Sequence, residues 1–136
     1  MAQFGMNSKK HLRSVHPDLQ RVFNEVIKHY DCVVIVGHRG KVEQDAAVKV
    51  GNSQTPWPTS KHNTVPSLAI DVAPYFDEKP HIRWNDIKSF YHFAGFVRGV
   101  ASQLGIPIRF GGDWDSDWDV EEERFRDLVH FELGKR

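Results

Sequence analysis

In "TSKHNTVPSLAIDVAPYF", Thr59–Phe76, a polar loop carrying His62 runs into an apolar segment that holds Asp71 between Ile70 and Val72. "SLAIDVAPY", 67–75, reads as a strand. A carboxylate flanked there by Leu68, Ala69, Ile70, Val72 and Ala73 loses much of its hydration, a cost of several kcal/mol unless a partner compensates. A metal ion is one such partner. An ion pair, or burial of the strand's apolar face with no functional purpose, is the alternative.

The segments around this strand set the fold class. Upstream, "HPDLQRVFNEVIKHY", 16–30, places Leu19, Val22, Phe23, Val26 and Ile27 at helical spacing, with Pro17 suited to a first turn. "CVVIVGHR", 32–39, follows as a buried strand, and "KVEQDAAVKVG", 41–51, as a short helix closed by Gly51. The loop "GNSQTPWPTSKHN", 51–63, is a long excursion of the kind that is usually functional in a small domain. Downstream, a long helix from about Trp84 to Leu104 stops at Gly105. "IPIRFGGDW", 106–114, and "DLVHFEL", 127–133, read as a third and a fourth strand. This order fits an α+β domain with a small, mainly antiparallel sheet covered by helices on one side.

Whole-chain properties narrow the function. The 136 residues suit one domain, 1–136, with no room for a second, separate binding module. Eighteen basic residues balance eighteen acidic ones, so nothing argues for nucleic-acid binding through phosphate neutralisation. The single cysteine, Cys32, reads as a small buried hydrophobe and excludes an internal disulfide framework or a cysteine-based zinc finger. Any metal must sit on histidine and carboxylate. The polar N-terminal region, "MAQFGMNSKKHLRSVHPDL", lacks the apolar core of a signal peptide, and no segment approaches a membrane span.

Of the eight histidines, His11 and His16 fall in the polar N-terminal region, His29 near a helix end, His81 in a loop and His92 on a helix surface or interface. His62 and His130 differ, one just before the Asp71 strand and the other inside the apolar run "LVHFEL". A His2Asp set leaves a fourth tetrahedral position open, the arrangement of catalytic zinc, and imidazole with carboxylate suits zinc over calcium or magnesium.

"SKH" followed by "AID", "GHR" at the end of an earlier strand, "RFGGDWD" and the terminal "DLVHFEL" together resemble the zinc peptidases that cut peptidoglycan stem peptides. These are the D-alanyl-D-alanine carboxypeptidase-like, or hedgehog-like, enzymes, and the likeness is greatest to the phage L-alanyl-D-glutamate endopeptidases. The resemblance implies zinc on His62, Asp71 and His130, Asp127 as the catalytic carboxylate and Arg39 facing the substrate. One departure is the interval "HNTVPSLAID", which sets eight residues between His62 and Asp71, more than the family usually has. Extra residues in a loop can bulge without moving the strand.

The chemistry also follows from the residues. Zinc lowers the pKa of a bound water toward roughly 7, and a carboxylate must then take the proton. Asp127 lies near His130 yet outside the apolar run; without a metal it would read as a surface charge beside "EEERFR". Glu132 is its rival: strand alternation puts it on the face of His130, where it could orient the imidazole or act as the base. Arg39 could grip a substrate carboxylate or support an oxyanion, or pair with Glu43 or Asp45. Ser60 could hydrogen-bond near the site or cap its loop.

In "GGDWDSDWDVEEE", Asp113, Asp115 and Asp117 alternate so that they could supply calcium with oxygen ligands, although EF-hand spacing is absent and a solvated acidic loop is the simpler reading. Trp114 and Trp118 could line a groove or pack over the sheet.

The expected function is zinc-dependent hydrolysis of the L-alanyl-D-glutamate bond of bacterial peptidoglycan by a monomeric phage endolysin, with neither nucleic acid nor membrane as partner. The resemblance implies synthesis in the host cytoplasm and access to the wall through a separate membrane-permeabilising protein. A D,D- or L,D-carboxypeptidase on the same scaffold, and a non-catalytic zinc- or peptidoglycan-binding domain, are the alternatives.

Overall fold

A computed structural model describes residues 2–121 and 126–134. The elements run α1 (Met6–Arg13), α2 (Pro17–Val26), β1 (Cys32–Val36), α3 (Lys41–Lys49), a 3-10 turn (Lys61–Asn63), β2 (Ala69–Pro74), α4 (Ile87–Gln103), β3 (Ile108–Phe110) and β4 (His130–Leu133). The four strands form one antiparallel sheet in the order β1-β2-β4-β3, giving an α+β fold.

Register divides the sheet into two faces. Ile70 pairs with Phe131 and Phe110 with Phe131, so these side chains share one face, together with Val72. That face carries the core: Phe131 packs against Phe23 of α2, Phe93 of α4 and Phe110, with ring centroids 5.3–6.2 Å apart. The helical spacing read in α2 is real, since Leu19, Val22, Phe23 and Val26 are all buried in this cluster. In α4, Phe93, Ala94, Val97 and Ala101 form the matching stripe. The opposite face pairs Asp71 with His130, Ala69 with Glu132 and Arg109 with Glu132. Polar side chains are thus excluded from the apolar layer by alternation alone.

Several boundaries differ from the sequence reading. Helix α1 forms where only a polar N-terminal region is legible, because its contribution is a single buried Leu12 plus Ser8, whose Oγ accepts the Val34 amide at 3.0 Å and so covers the edge strand β1. Helix α4 starts at Ile87 rather than Trp84, since Asp86 accepts the Ser89 amide as its N-cap. The third strand ends at Phe110 instead of Trp114, as the chain turns at Gly111. The fourth begins at His130 rather than Asp127, and Asp127 lies in the turn before it. Helix α3 contributes nothing to the main cluster; its buried Gln44 faces the 3-10 turn. No helix among the described residues is long and apolar enough to cross a membrane.

Candidate functional site

Three elements bring His62, Asp71 and His130 to one point on the polar face. His62 rides the 3-10 turn, whose backbone is held by a capping box: Ser60 Oγ accepts the His62 amide and Asn63 Oδ1 accepts the Ser60 amide. Ser60 therefore acts as the loop cap. The extra residues before Asp71 fold back on themselves, with the Leu68 amide donating to the Lys61 carbonyl at 3.0 Å and Val65 turned to solvent. His62 keeps its place despite the long interval.

The donor atoms are closely spaced. His62 Nε2 lies 3.1 Å from Asp71 Oδ1 and 3.3 Å from His130 Nδ1, and His130 Nδ1 lies 3.3 Å from Asp71 Oδ1. All three residues are buried. The far sides of both rings are already committed. His62 Nδ1 donates to the Gly37 carbonyl at 2.8 Å, and His130 Nε2 donates to Glu132 Oε1 at 2.8 Å. Neutral imidazoles fixed in this way direct their lone pairs at each other and at the carboxylate. Such a triangle requires a positive charge at its centre. Burial alone would lower the His130 pKa, but its hydrogen bonds to Asp71 and Glu132 raise it to about 9, and hydrogen bonds with His130 and His62 hold the Asp71 carboxyl well below the usual carboxylate range against its burial. A cation with three borderline ligands fits in place of those protons: donors 3.1–3.3 Å apart match the edge of a tetrahedron with metal–ligand bonds of roughly 2.0–2.1 Å.

Asp127 Oδ2 lies 3.9 Å from His130 Nδ1, on the rim of this triangle. Burial, then the charge of Asp71, raises its pKa to about 6. It reaches this position because Gly111 leaves room: the Asp127 amide donates to the Gly111 carbonyl at 2.8 Å, and a side chain at Gly111 would collide with the Asp127 backbone. Arg39 sits at 3.7 Å from Asp71 Oδ2 and donates to Gln44 Oε1, while Asp45 pairs with Lys41. Arg39 thus faces the site and makes neither of the helix ion pairs open to it in sequence. Glu132 is nearly buried; its Oε2 accepts from Lys61 Nζ and Arg109 Nη2, each at 2.8 Å. Burial raises its pKa, but the hydrogen bonds and charges of His130 and then Lys61 outweigh that and bring it to about 2. Trp114 lines the cleft, its ring centroid 5.3 Å from that of His130. Trp118 instead lies under Arg98, away from the site.

Sequence reading missed Gln44, Gly37, Lys61 and Arg109. Gln44 is fully buried and joins Arg39, Asn63, Ser53 and the Thr55 carbonyl in one network. A side chain at Gly37 would strike the His11 carbonyl and Ser14 Oγ, so only glycine lets this carbonyl meet His62. Alternation in "IRF" would have put Arg109 beside Glu132 had the β3–β4 register been known.

The cleft, about 240 Å³, is bordered by Arg39, Lys61, Arg109, Trp114 and Asp127, with His62 and His130 in its wall. The family described as "Phage L-alanyl-D-glutamate peptidase" matches residues 1–134. This chain belongs to that family. Within it, the L-alanyl-D-glutamate peptidase of Escherichia phage T5 is 36% identical over 137 residues, covering 96% of this chain and 97% of the phage protein. The fold of this phage peptidase family member also matches the crystal structure of the Serratia marcescens L-Ala D-Glu endopeptidase ChiX, with a TM-score of 0.74 and 28% identity across 97% of this chain and 90% of that one.

The acidic loop forms a second cluster. Asp113, Asp115 and Asp117 bring carboxylate oxygens within 4.8 Å of one another. Asp113 is fully buried; its Oδ2 accepts from Arg98 Nη2 at 2.9 Å and from the Trp118 amide, while its Oδ1 has no hydrogen-bond partner among the described residues. Among the described residues none of His11, His16, His29, His38, His81 and His92 joins a cluster of this kind; His16 Nδ1, for instance, caps α2 by accepting the Asp18 amide.

Proposed function

We propose that this peptidase hydrolyses the L-alanyl-D-glutamate bond of peptidoglycan stem peptides as a zinc enzyme, with His62, Asp71 and His130 as the metal ligands. The observation that carries the reading is the triangle of convergent lone pairs beside Asp127, in a chain of the phage L-alanyl-D-glutamate peptidase family. When bound there, zinc acidifies a water and polarises the scissile carbonyl. Asp127, at the rim and not among the three ligands, takes the proton from the attacking water and returns it to the leaving amine. Arg39, held by Gln44 and oriented over Asp71, donates to the carbonyl oxygen as charge builds on it. Glu132 fixes the His130 ring so that Nδ1 presents its lone pair, and its own oxygens are engaged by Lys61 and Arg109, which leaves the base role to Asp127. Ser60 sets the turn that carries His62.

The test is digestion of purified peptidoglycan followed by mass spectrometry. Release of stem peptides that begin with glutamate supports the reading, loss of one terminal alanine makes the protein a carboxypeptidase, and unchanged peptidoglycan makes it a binder. Metal analysis of active protein should find about one zinc per chain. The protein acts as a monomer, reaching the wall after a separate protein has opened the membrane.

A second cation reading rests on a separate observation. The buried, unpartnered Asp113 Oδ1 facing Asp115 and Asp117 suits a calcium ion, which takes carboxylate oxygens. Titration calorimetry with calcium tests it, and absence of heat leaves a solvated loop.

A further inference from the structure

We infer that Lys61 and Arg109 form the subsite for the free carboxylate of the glutamyl residue next to the scissile bond; this rests on the peptidase reading above. Two cations meet one carboxylate here. Glu132 Oε2 accepts from Lys61 Nζ at 2.8 Å and from Arg109 Nη2 and Nε at 2.8 and 3.2 Å, while its Oε1 is used by His130. The local charge of Lys61, Arg109 and Glu132 is therefore two positive and one negative, a surplus of one positive charge.

Exposure shows where that surplus points. The Glu132 side chain is 6% exposed, whereas those of Lys61 and Arg109 are 38% and 43% exposed and border the cleft. Their donors are also incompletely used. Among the described residues, Arg109 spends two of its five N–H groups on Glu132, and Lys61 spends two of its three on Glu132 and the Leu133 carbonyl. Among the described residues Arg39 is the other cation of the cleft, and at 12% exposure and 3.7 Å from Asp71 it serves the metal side instead. The Trp114 ring, its centroid 5.4 Å from the Arg109 guanidinium, lies over one face of that group and lowers the local dielectric, which strengthens a bond to an anion.

Substrate chemistry supplies that anion in the right place. In an L-alanyl-D-glutamate link the glutamyl nitrogen belongs to the scissile amide, and one of its two carboxyls continues the peptide. The other remains as a free carboxylate on the same residue. Lys61 and Arg109 are separated from the ligand His130 by one carboxylate, that of Glu132, and they border the same cleft as that imidazole. A planar guanidinium beside an ammonium is a donor set suited to a carboxylate.

The experiment uses two synthetic stem peptides that differ only in whether this group is a carboxylate or a carboxamide. The wild-type protein, zinc-loaded, should show a kcat/KM for the carboxylate about ten- to a hundredfold higher, the range of a lost charge-assisted contact. Arg109→Gln and Lys61→Gln should each shrink this ratio toward one, chiefly by raising KM for the carboxylate peptide. Equal rates on both peptides in wild type, or a ratio unchanged in both variants, would overturn the inference while leaving the peptidase reading intact. Cleavage of neither peptide at the alanyl–glutamyl bond would overturn the peptidase reading and the inference with it. If Arg109→Gln melts at much lower temperature than wild type, Lys61→Gln decides, because its side chain packs at the cleft rim.

Discussion

Two clusters of acidic and ligand-type side chains occur among the described residues, and they are built in opposite ways. The His62, Asp71 and His130 triangle draws one donor from each of three distant elements, and every ring is tied at its far nitrogen, to Gly37 or to Glu132. The Asp113, Asp115 and Asp117 cluster is drawn from one short loop, where the carboxylates serve as local caps: Asp115 accepts the Asp117 amide, Asp117 the Asp119 amide and Asp119 the Glu121 amide. Of these three aspartates only Asp113 is buried. Both offer metal-ligating atoms; what separates them is that the triangle's donors are buried and aimed at a shared point by distant partners, whereas the loop's exposed carboxylates serve their own backbone.

The largest expected effect comes from breaking the first cluster. Asp71→Ala or His130→Ala should reduce bound zinc from about one per chain to near none, and turnover to background, as read by metal analysis and peptide hydrolysis. Retention of full zinc by either variant would show that the triangle is not the site. Next, Asp127→Asn should keep the zinc and lower turnover by about a hundredfold to ten-thousandfold. Glu132→Gln should instead weaken zinc binding by about ten- to a hundredfold. Near-normal turnover in Asp127→Asn would transfer the base role to another carboxylate.

The pH profile sharpens the same point. Asp127 accepts a proton only when ionised, and its pKa, raised by burial and by Asp71, is about 6, so activity should fall as pH drops through that region. A bound dication attracts the ionised form and moves this limb to lower pH, which places it at or below about pH 6. An acidic limb near pH 8 would point to a different group.

Smaller effects probe what holds each cluster. Gly37→Ala should cost about 1–3 kcal/mol of stability, since the methyl meets the His11 carbonyl and Ser14 Oγ in a packed contact; thermal unfolding measures it. The smallest effect concerns the loop. Calcium at about a hundred times its Kd should stabilise the fold by about 2.7 kcal/mol, and Asp113→Asn should abolish the shift. A melting temperature indifferent to calcium would leave the loop as a set of local caps, and the contrast between the two clusters would then be complete.

Much of the fold could be read in the chain, for reasons visible in particular residues. Leu19, Val22, Phe23 and Val26 announce α2 because each is buried on one stripe, and β2 announces itself as an unbroken apolar run around Asp71. Helix α1 could not be read, because a helix that docks by one leucine and a serine–amide bond has almost no hydrophobic period. The central site residues were legible as types, a histidine in a long loop, an aspartate in an apolar strand and a histidine in another. Arg109 and Gln44 were not, since nothing local distinguishes a cleft arginine or a buried glutamine from surface ones.

By itself the sequence determined every element but α1 and the 3-10 turn, the balance of charge and the set of residues able to hold a metal, because these depend on side-chain chemistry and on periods of two and 3.6 residues. The tertiary structure alone decided which of them meet. Pairing Asp71 with His130 and Arg109 with Glu132 is a matter of strand register, and a slip of one residue would turn each of these side chains into the core. The orientation of each imidazole is likewise decided by partners far away in the chain, Gly37 for His62 and Glu132 for His130, whose bonds exist only once the sheet has closed around them.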